Sequence, residues 1–250
     1  MSIIEPSVTI PDFDLPPVNV LREDSTHPVL LLCEHASHYI PPAYENLGLA
    51  NGVEATHIGW DIGALELAER LSDRLNATLI SAGYSRLLID LNRPLHAKDS
   101  IPTKSDNQEI PGNVTLSKAD KDARQRFLFE AFHQRVSNLL DRRLTQGIPT
   151  RVVSVHSFTP TMNGVSRPWE LGVLYDKARE YAQGIMIPLA EQGIVVGNNQ
   201  PYQVHPDEDV AVPVHGDARG LPCVLLELRN DLLSQNSAID AWVNKLAPLL

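Results

Sequence analysis

Short apolar runs alternate along the chain with longer segments in which apolar residues recur every three or four positions. Short apolar runs are typical of buried strands, whereas the longer period is typical of helices that bury one face. The runs predict strands at residues 29–33, 78–81, 87–91, 151–155, 171–175, 194–196 and 224–228. The periodic segments predict helices at residues 60–75, 117–145, 177–191 and 238–249.

Alternating strands and helices predict an α/β fold with three layers, in which helices flank a mostly parallel or mixed sheet. We expect residues 28–250 to form this single domain. Residues 1–27 contain four prolines and mixed polar residues, which favours an extended N-terminal arm. The polar stretch 94–114 predicts a long loop, and loops of this length often cover a functional site.

Composition limits the classes of function. Lys and Arg total 21 against 31 acidic residues, without a basic cluster, so we expect no nucleic-acid binding. The longest apolar run, 28–33, is far shorter than the ~20 residues of a membrane span, and no secretory signal is visible. Cys33 and Cys223 lie in apolar runs, which favours free thiols and a cytoplasmic protein.

Histidines follow or end two of the predicted strands. His35 and His38 come directly after the first strand, and His156 and Ser157 end the fourth. In parallel α/β sheets ligands bind at the carboxyl ends of strands, and imidazole nitrogen is a good zinc ligand. Either site alone would be weak evidence, but two strand ends of this kind predict a metal site.

A carboxylate lies inside the last predicted strand, at Glu227. Burying an acid is costly unless it is paired, bound to metal or tuned for proton transfer. The local sequence leaves two alternatives open, since Glu227 could form an ion pair with Arg229 or could act in catalysis.

A polar cluster, Arg86, Asp90, Asn92 and Arg93, surrounds another predicted strand. Guanidinium groups pair with carboxylates through two hydrogen bonds, so this cluster could bind an anionic substrate. The alternative is that Asp90 pairs with one of the two arginines. Motifs for a serine nucleophile elbow, a catalytic cysteine, nucleotide-binding loops and His-Glu-x-x-His zinc proteases do not occur.

Taken in order, these segments resemble the N-formylglutamate amidohydrolase family and, more distantly, the zinc carboxypeptidases and aspartoacylase. The similarity extends from about residue 28 to 235. It rests on CEHASHYIP at 33–41, HIGWDIGA at 57–64, SRLLIDLNRP at 85–94, HSFTP at 156–160, RPWELGVLY at 167–175 and ELRNDL at 227–232.

The resemblance implies a phosphorylase/hydrolase-like fold with zinc at the strand ends. It implies that His35 is the first zinc ligand and that His156, followed by Ser157 in the substrate site, is the second. The carboxypeptidase pattern has a glutamate ligand three residues after the first histidine, where this chain has His38. The third ligand is therefore either His38 or a carboxylate elsewhere, for which Asp61 is preferred.

The resemblance also implies roles for the other candidates. Glu227 matches a general base, Arg86 a group that polarises the scissile carbonyl, and Asn92 with Arg93 a pair that binds the substrate carboxylate. We place further substrate contacts at Tyr202, His215 and Arg229, with the first two at the rim of the site.

The expected activity is zinc-dependent hydrolysis of a small anionic N-acyl amino acid, with N-formyl-L-glutamate giving formate and glutamate. One alternative is a zinc deacylase or peptidase with a different acyl or amine specificity. An alternative of another class is a non-catalytic protein that binds acidic metabolites.

Overall fold

The computed structural model describes residues 13–250. In chain order its strands are β1 (Val18–Leu21), β2 (Val29–Cys33), β3 (Thr78–Ala82), β4 (Lys104–Ser105), β5 (Gln108–Glu109), β6 (Arg151–Phe158), β7 (Thr161–Met162), β8 (Val165–Ser166), β9 (Leu171–Leu174), β10 (Val196–Asn198) and β11 (Cys223–Arg229). Its α-helices are α1 (Ala64–Leu75), α2 (Lys118–Arg124), α3 (Ala131–Thr145), α4 (Arg179–Glu191) and α5 (Asn236–Leu246).

A seven-stranded mixed sheet forms the middle layer, in the order β1-β3-β2-β6-β11-β9-β10. Strand β1 is antiparallel to β3, and β9 is antiparallel to β11, whereas the other neighbours are parallel. The carboxyl ends of β2, β6 and β11 therefore lie side by side at one edge of the sheet. The predicted α/β fold with a mixed sheet flanked by helices is confirmed.

Helices cover both faces of the sheet, which explains why its central strands are apolar throughout. On β2, Leu31 belongs to the core beneath α1, α4 and α5, and Leu32 belongs to the core on the opposite face beneath α3. Phe132 of α3 and Trp242 of α5 are buried in these two opposite layers.

All but one of the predicted strands are present, with ends shifted by a few residues. Residues 87–91 form turns instead of a strand. The apolar side chains of this segment are buried as expected, but side chains bind its backbone carbonyls. Asn113 donates to the Leu87 carbonyl at 2.7 Å and Arg124 to the Leu88 carbonyl at 3.0 Å. These bonds replace the sheet pairing that a buried apolar segment otherwise needs.

The predicted N-terminal arm needs one correction. Residues 1–12 of the arm lie outside the described residues, but Val18–Leu21 form β1 and pair with β3. The segment alternates half-buried and exposed positions, as a strand at the edge of a sheet does. The four-residue alternation follows two prolines and was too short to indicate a strand in the sequence.

The predicted loop 94–114 carries a small hairpin, β4–β5, whose turn faces the turn of the β7–β8 hairpin. The Asn107 side-chain amide donates to the Asn163 side-chain oxygen at 3.0 Å, so the two turns are in contact. In residues 13–250, no helix has the length and apolar character required to cross a membrane.

Candidate metal centre and active site

A cavity of about 530 Å³ opens at the edge of the sheet where β2, β6 and β11 end. His35 follows β2 by two residues, His156 lies on β6, and Glu227 lies on β11. All three side chains line the cavity and are buried. The sheet therefore brings together the three strand ends that the sequence identified.

Asp61 lies between the two histidines. Its Oδ2 atom is 2.8 Å from His156 Nδ1 and 3.4 Å from His35 Nδ1. Asp61 is held there by its backbone N–H, which donates to the His35 carbonyl at 3.0 Å just before α1 begins. Potential ligand atoms of His35, Asp61 and His156 all lie within 4.8 Å of one another.

The outer nitrogen of each imidazole contacts a second carboxylate. His35 Nε2 lies 2.8 Å from Asp90 Oδ1, and His156 Nε2 lies 3.1 Å from Glu34 Oε2. Each imidazole therefore has a carboxylate at both of its nitrogens, Asp61 at Nδ1 and a second one at Nε2. An ionised carboxylate can only accept, so a cation held beside Asp61 would take the place of a proton on Nδ1 and leave the proton on Nε2.

This donor set fits a divalent metal ion. Two imidazole nitrogens and a carboxylate oxygen are the ligand types of catalytic zinc sites, which keep a further position open. Asp61 within the cluster and three further carboxylates around it, Glu34, Asp90 and Glu227, are all buried. Within the described chain, Glu227 Oε2 is buried without a hydrogen-bond partner. The His35, Asp61 and His156 cluster could therefore hold a metal ion, which would also offset this negative charge.

The carboxylates of the site differ in pKa. Burial opposes ionisation of Asp61, but His35 and His156 outweigh it and hold its pKa well below the usual range. Burial likewise opposes ionisation of Asp90, yet Arg86 and His35 keep its pKa low. By contrast, burial raises the pKa of Glu227 to about 7. Glu227 can therefore exchange a proton near neutral pH, as a general base must.

Three cationic or amide side chains from one segment line the same cavity. Arg86 donates to Asp90 Oδ2 at 2.6 Å and to Asp61 Oδ1 at 3.3 Å. Asn92 Oδ1 accepts from two backbone N–H groups, at residues 210 and 211, at 3.2 and 2.9 Å. Arg93 bonds Asp209 Oδ1 at 2.5 Å. The Asp90 pairing that the sequence left open thus involves Arg86.

Ser157 and Tyr202 also line the cavity. The Ser157 backbone N–H donates to Asp61 Oδ2 at 3.2 Å, so Ser157 helps to orient the central carboxylate. The Tyr202 hydroxyl accepts from Arg167 at 2.9 Å, and burial raises its pKa. Tyr202 is thus a neutral group at the wall of the cavity.

Three candidate residues do not line the cavity: His38, Arg229 and His215. The His38 ring packs against Trp60 with 4.9 Å between centroids, away from the cluster, so the geometry favours Asp61 as the third donor. Arg229 bonds Asp231 at 2.8 Å instead of forming the ion pair with Glu227 that its spacing suggested.

The placement of His215 at the rim is wrong. His215 is fully buried in a π-helical turn and contacts His133, with 2.8 Å between His215 Nε2 and His133 Nδ1. Its partner is 82 residues away in sequence, so no local pattern linked the two rings, although the apolar residues 210–214 directly before His215 were a sign of burial.

Sequence reasoning assigned no role to Glu34 and did not connect Asp90 with His35. Glu34 directly precedes a candidate ligand at a strand end, and this position was the available signal. It also missed His57 and Asp106, which line the cavity and pair at 2.9 Å. That pair joins segments 49 residues apart, and the sequence pattern does not link them.

The fold and this cluster define the class: an α/β enzyme whose active site, with a potential metal centre, lies at the carboxyl edge of a mixed sheet. The family model of N-formylglutamate amidohydrolase matches residues 27–234. The chain belongs to this family and is a hydrolase that acts on carbon–nitrogen amide bonds.

Two solved structures are similar to the chain over most of its length. The crystal structure of gene product Atu2144 from Agrobacterium tumefaciens is 37% identical, with 93% of this chain and 92% of that chain covered and a TM-score of 0.89. N-formylglutamate amidohydrolase from Ralstonia eutropha JMP134 is 16% identical, with 94% and 96% covered and a TM-score of 0.70, and it shows the shared fold. Among proteins with curated descriptions, none matches at a significant level.

Proposed function

We propose that the protein is a zinc-dependent amidohydrolase that converts N-formyl-L-glutamate to formate and glutamate. The observation that carries this proposal is the buried His35, Asp61 and His156 cluster beside Glu227, whose pKa is raised to about 7 by burial. Membership of the family supports the activity, and the donor set supports zinc.

Zinc held by His35, Asp61 and His156 would supply Lewis acidity, which polarises a carbonyl and makes water more acidic. Glu227 would take the proton from the attacking water and deliver it to the nitrogen of the leaving amine. Burial raises the pKa of Glu227, which favours uptake of the proton that the group then passes to the amine. Arg86, which faces Asp61 and Asp90, would stabilise the negative charge that develops on the carbonyl oxygen.

The substrate carboxylates need cationic or amide partners. Arg93 and Asn92 line the cavity, and Arg93 bonds Asp209 and Asp99 at its mouth. A substrate carboxylate would take over part of the Arg93 guanidinium, which has five donors and can bond several acceptors at once. Tyr202 and Ser157 would complete the walls around the substrate.

A substrate panel tests the specific reaction. Purified, zinc-loaded protein is incubated with N-formyl-, N-acetyl- and N-succinyl-L-glutamate, with N-formyl-L-leucine and with short peptides. We expect formate from N-formyl-L-glutamate at the highest kcat/KM of the set. Faster cleavage of another acyl group or amine would instead establish an amidohydrolase of different specificity.

The same panel separates catalysis from simple binding. A protein that binds acidic metabolites without turnover would show saturable binding of N-formyl-L-glutamate by calorimetry and no release of formate. Its affinity would be the same for the parent and for Glu227→Gln. We expect turnover by the parent, and binding without turnover by the variant.

A further inference from the structure

Glu34 is a buried carboxylate for which the proposed reaction has no role. Its side chain is fully buried, and its Oε2 atom accepts from the Ser154 hydroxyl at 2.6 Å and contacts His156 Nε2 at 3.1 Å. In the described part of the chain, its other oxygen, Oε1, has no hydrogen-bond partner. A buried, half-satisfied carboxylate lowers stability, so folding alone does not account for Glu34.

Asp90 is the corresponding carboxylate at His35, the other histidine of the cluster. Asp90 contacts the other histidine of the cluster at 2.8 Å and is also neutralised by Arg86 at 2.6 Å. Glu34 is bonded instead by an uncharged hydroxyl and by His156. The contact of Glu34 with the cluster is therefore its contact with His156.

The two nitrogens of the His156 ring face different surroundings. Nδ1 faces Asp61, at 2.8 Å from its Oδ2 atom, on the side of the cluster where a metal ion would bind. A metal ion there would take the Nδ1 lone pair, and Nε2 would keep its proton and donate it to Glu34, which can only accept when ionised. The bond also fixes the rotation of the ring, since His156 is held at both nitrogens.

Glu34 links His35 and His156 structurally, because it is the chain neighbour of one and contacts the ring of the other. Glu34 directly precedes His35, so one dipeptide at the end of β2 supplies a candidate ligand and the group that orients His156 on the adjacent strand, β6. Ser154 lies two residues before His156 on β6 and bonds the same Glu34 oxygen, which fixes the carboxylate between the two strands.

We propose that Glu34 is a positioning residue that holds His156 in the Nε2-protonated form and makes Nδ1 its metal-binding atom. This inference rests on the proposed metal centre. Carboxylates that bond the outer nitrogen of a metal-bound histidine commonly strengthen metal binding by roughly 10- to 100-fold.

The test compares zinc affinity, measured by competition with a chromophoric chelator, across matched variants. Glu34→Leu removes the acceptor, and we expect zinc affinity to fall roughly 10- to 100-fold. Glu34→Gln keeps an acceptor oxygen of the same reach, and we expect it to restore most of that loss. Ser154→Ala removes the other bond to the same carboxylate but keeps the acceptor for Nε2, so affinity should fall less than in Glu34→Leu.

A second readout needs no variant. In the zinc-loaded parent with ¹⁵N-labelled histidine, long-range ¹H–¹⁵N spectra should show the His156 proton on Nε2 and the metal on Nδ1. The reverse assignment, or a Glu34→Leu variant that binds zinc as tightly as the parent, would overturn the role of Glu34 and leave the proposed function intact. A parent that binds no zinc would overturn the metal centre itself, and the role of Glu34 with it.

Discussion

Glu227 of β11 and His156 of β6 are register partners in adjacent parallel strands. Both side chains line the same cavity, and both are buried. The distance between the proposed base and a proposed metal ligand is therefore set by sheet pairing, which is rigid, and not by loops. Catalytic groups on strands and helices are held more precisely than groups on loops.

The first prediction concerns Glu227. Replacing it with Gln keeps the shape of the side chain but removes proton transfer, so we expect kcat for N-formyl-L-glutamate to fall about 10²- to 10⁴-fold. Zinc content should stay at the parent's level, because Glu227 is not one of the proposed ligands. Glu191→Gln, at an exposed position, is the matched control and should leave kcat unchanged. A Glu227→Gln variant with the parent's kcat would remove Glu227 from the mechanism.

The second prediction concerns the metal ligands. After dialysis and metal analysis, His35→Ala, Asp61→Ala and His156→Ala should each retain far less zinc than the parent, because each loses one of the clustered donors. His38→Ala is the matched control, since its ring packs on Trp60 instead of joining the cluster. Loss of zinc from the His38 variant, with zinc kept by the Asp61 variant, would reverse the choice of third ligand.

The third prediction concerns Gly172, the partner of Glu227 on β9. A Cβ atom there would lie 2.0 Å from the Gln200 carbonyl oxygen and 3.3 Å from Glu227 Cβ. Gly172→Ala should therefore push away the segment that carries Tyr202 into the cavity. We expect the free energy of unfolding in urea to fall by about 1–3 kcal/mol, together with a rise in KM.

Gly184→Ala provides the control for that substitution. Gly184 lies inside α4 with open space around its missing Cβ, so alanine should raise the free energy of unfolding by about 0.5–1 kcal/mol. If Gly172→Ala were as stable and active as the parent, the close packing of residue 200 on β9 would have no bearing on the site.

The fourth prediction concerns pH and the buried pair His133 and His215. Burial lowers the pKa of His133 to about 4 and that of His215 to about 3. Below an ordinary histidine pKa of about 6.5, the unfolded chain binds protons at these two histidines and the folded chain does not. The free energy of unfolding should therefore fall by a few kcal/mol as pH decreases from about 6.5 to about 4.

Denaturant unfolding of the metal-free protein at several pH values measures this slope. Replacing both histidines with leucine should flatten it relative to the parent, whereas His96→Leu, at an exposed histidine, should not. A double variant with the parent's slope would show that the pair is protonated in the folded state as readily as in the unfolded chain.

Much of the site could be predicted because its core lies on regular elements. His35, His156 and Glu227 were found from apolar runs that end in polar residues, and parallel strand ends meet at one edge of a sheet. Asp61 was the preferred carboxylate because it lies at the start of a helical pattern, and the choice between Asp61 and His38 stayed open. The placement of α1 against β2 then brings Asp61 between the histidines.

Other features depend on contacts that no local pattern encodes. The segment from 87 to 91 has the composition of a strand, but it is buried as turns because Asn113 and Arg124 bind its carbonyls. His215 was placed at the rim of the site, yet it is buried and contacts His133. Pairings across 26 to 82 residues determine these outcomes, and periodicity cannot show them.

The most direct test of the account is formate release from N-formyl-L-glutamate by one preparation in three states: as purified, after chelation, and after zinc is restored. We predict activity that disappears with the chelator and returns with about one zinc per chain, while Asp61→Ala stays inactive in all three states. Full activity in the metal-free protein, or no formate in any state, would contradict a zinc-dependent N-formylglutamate amidohydrolase built on His35, Asp61 and His156.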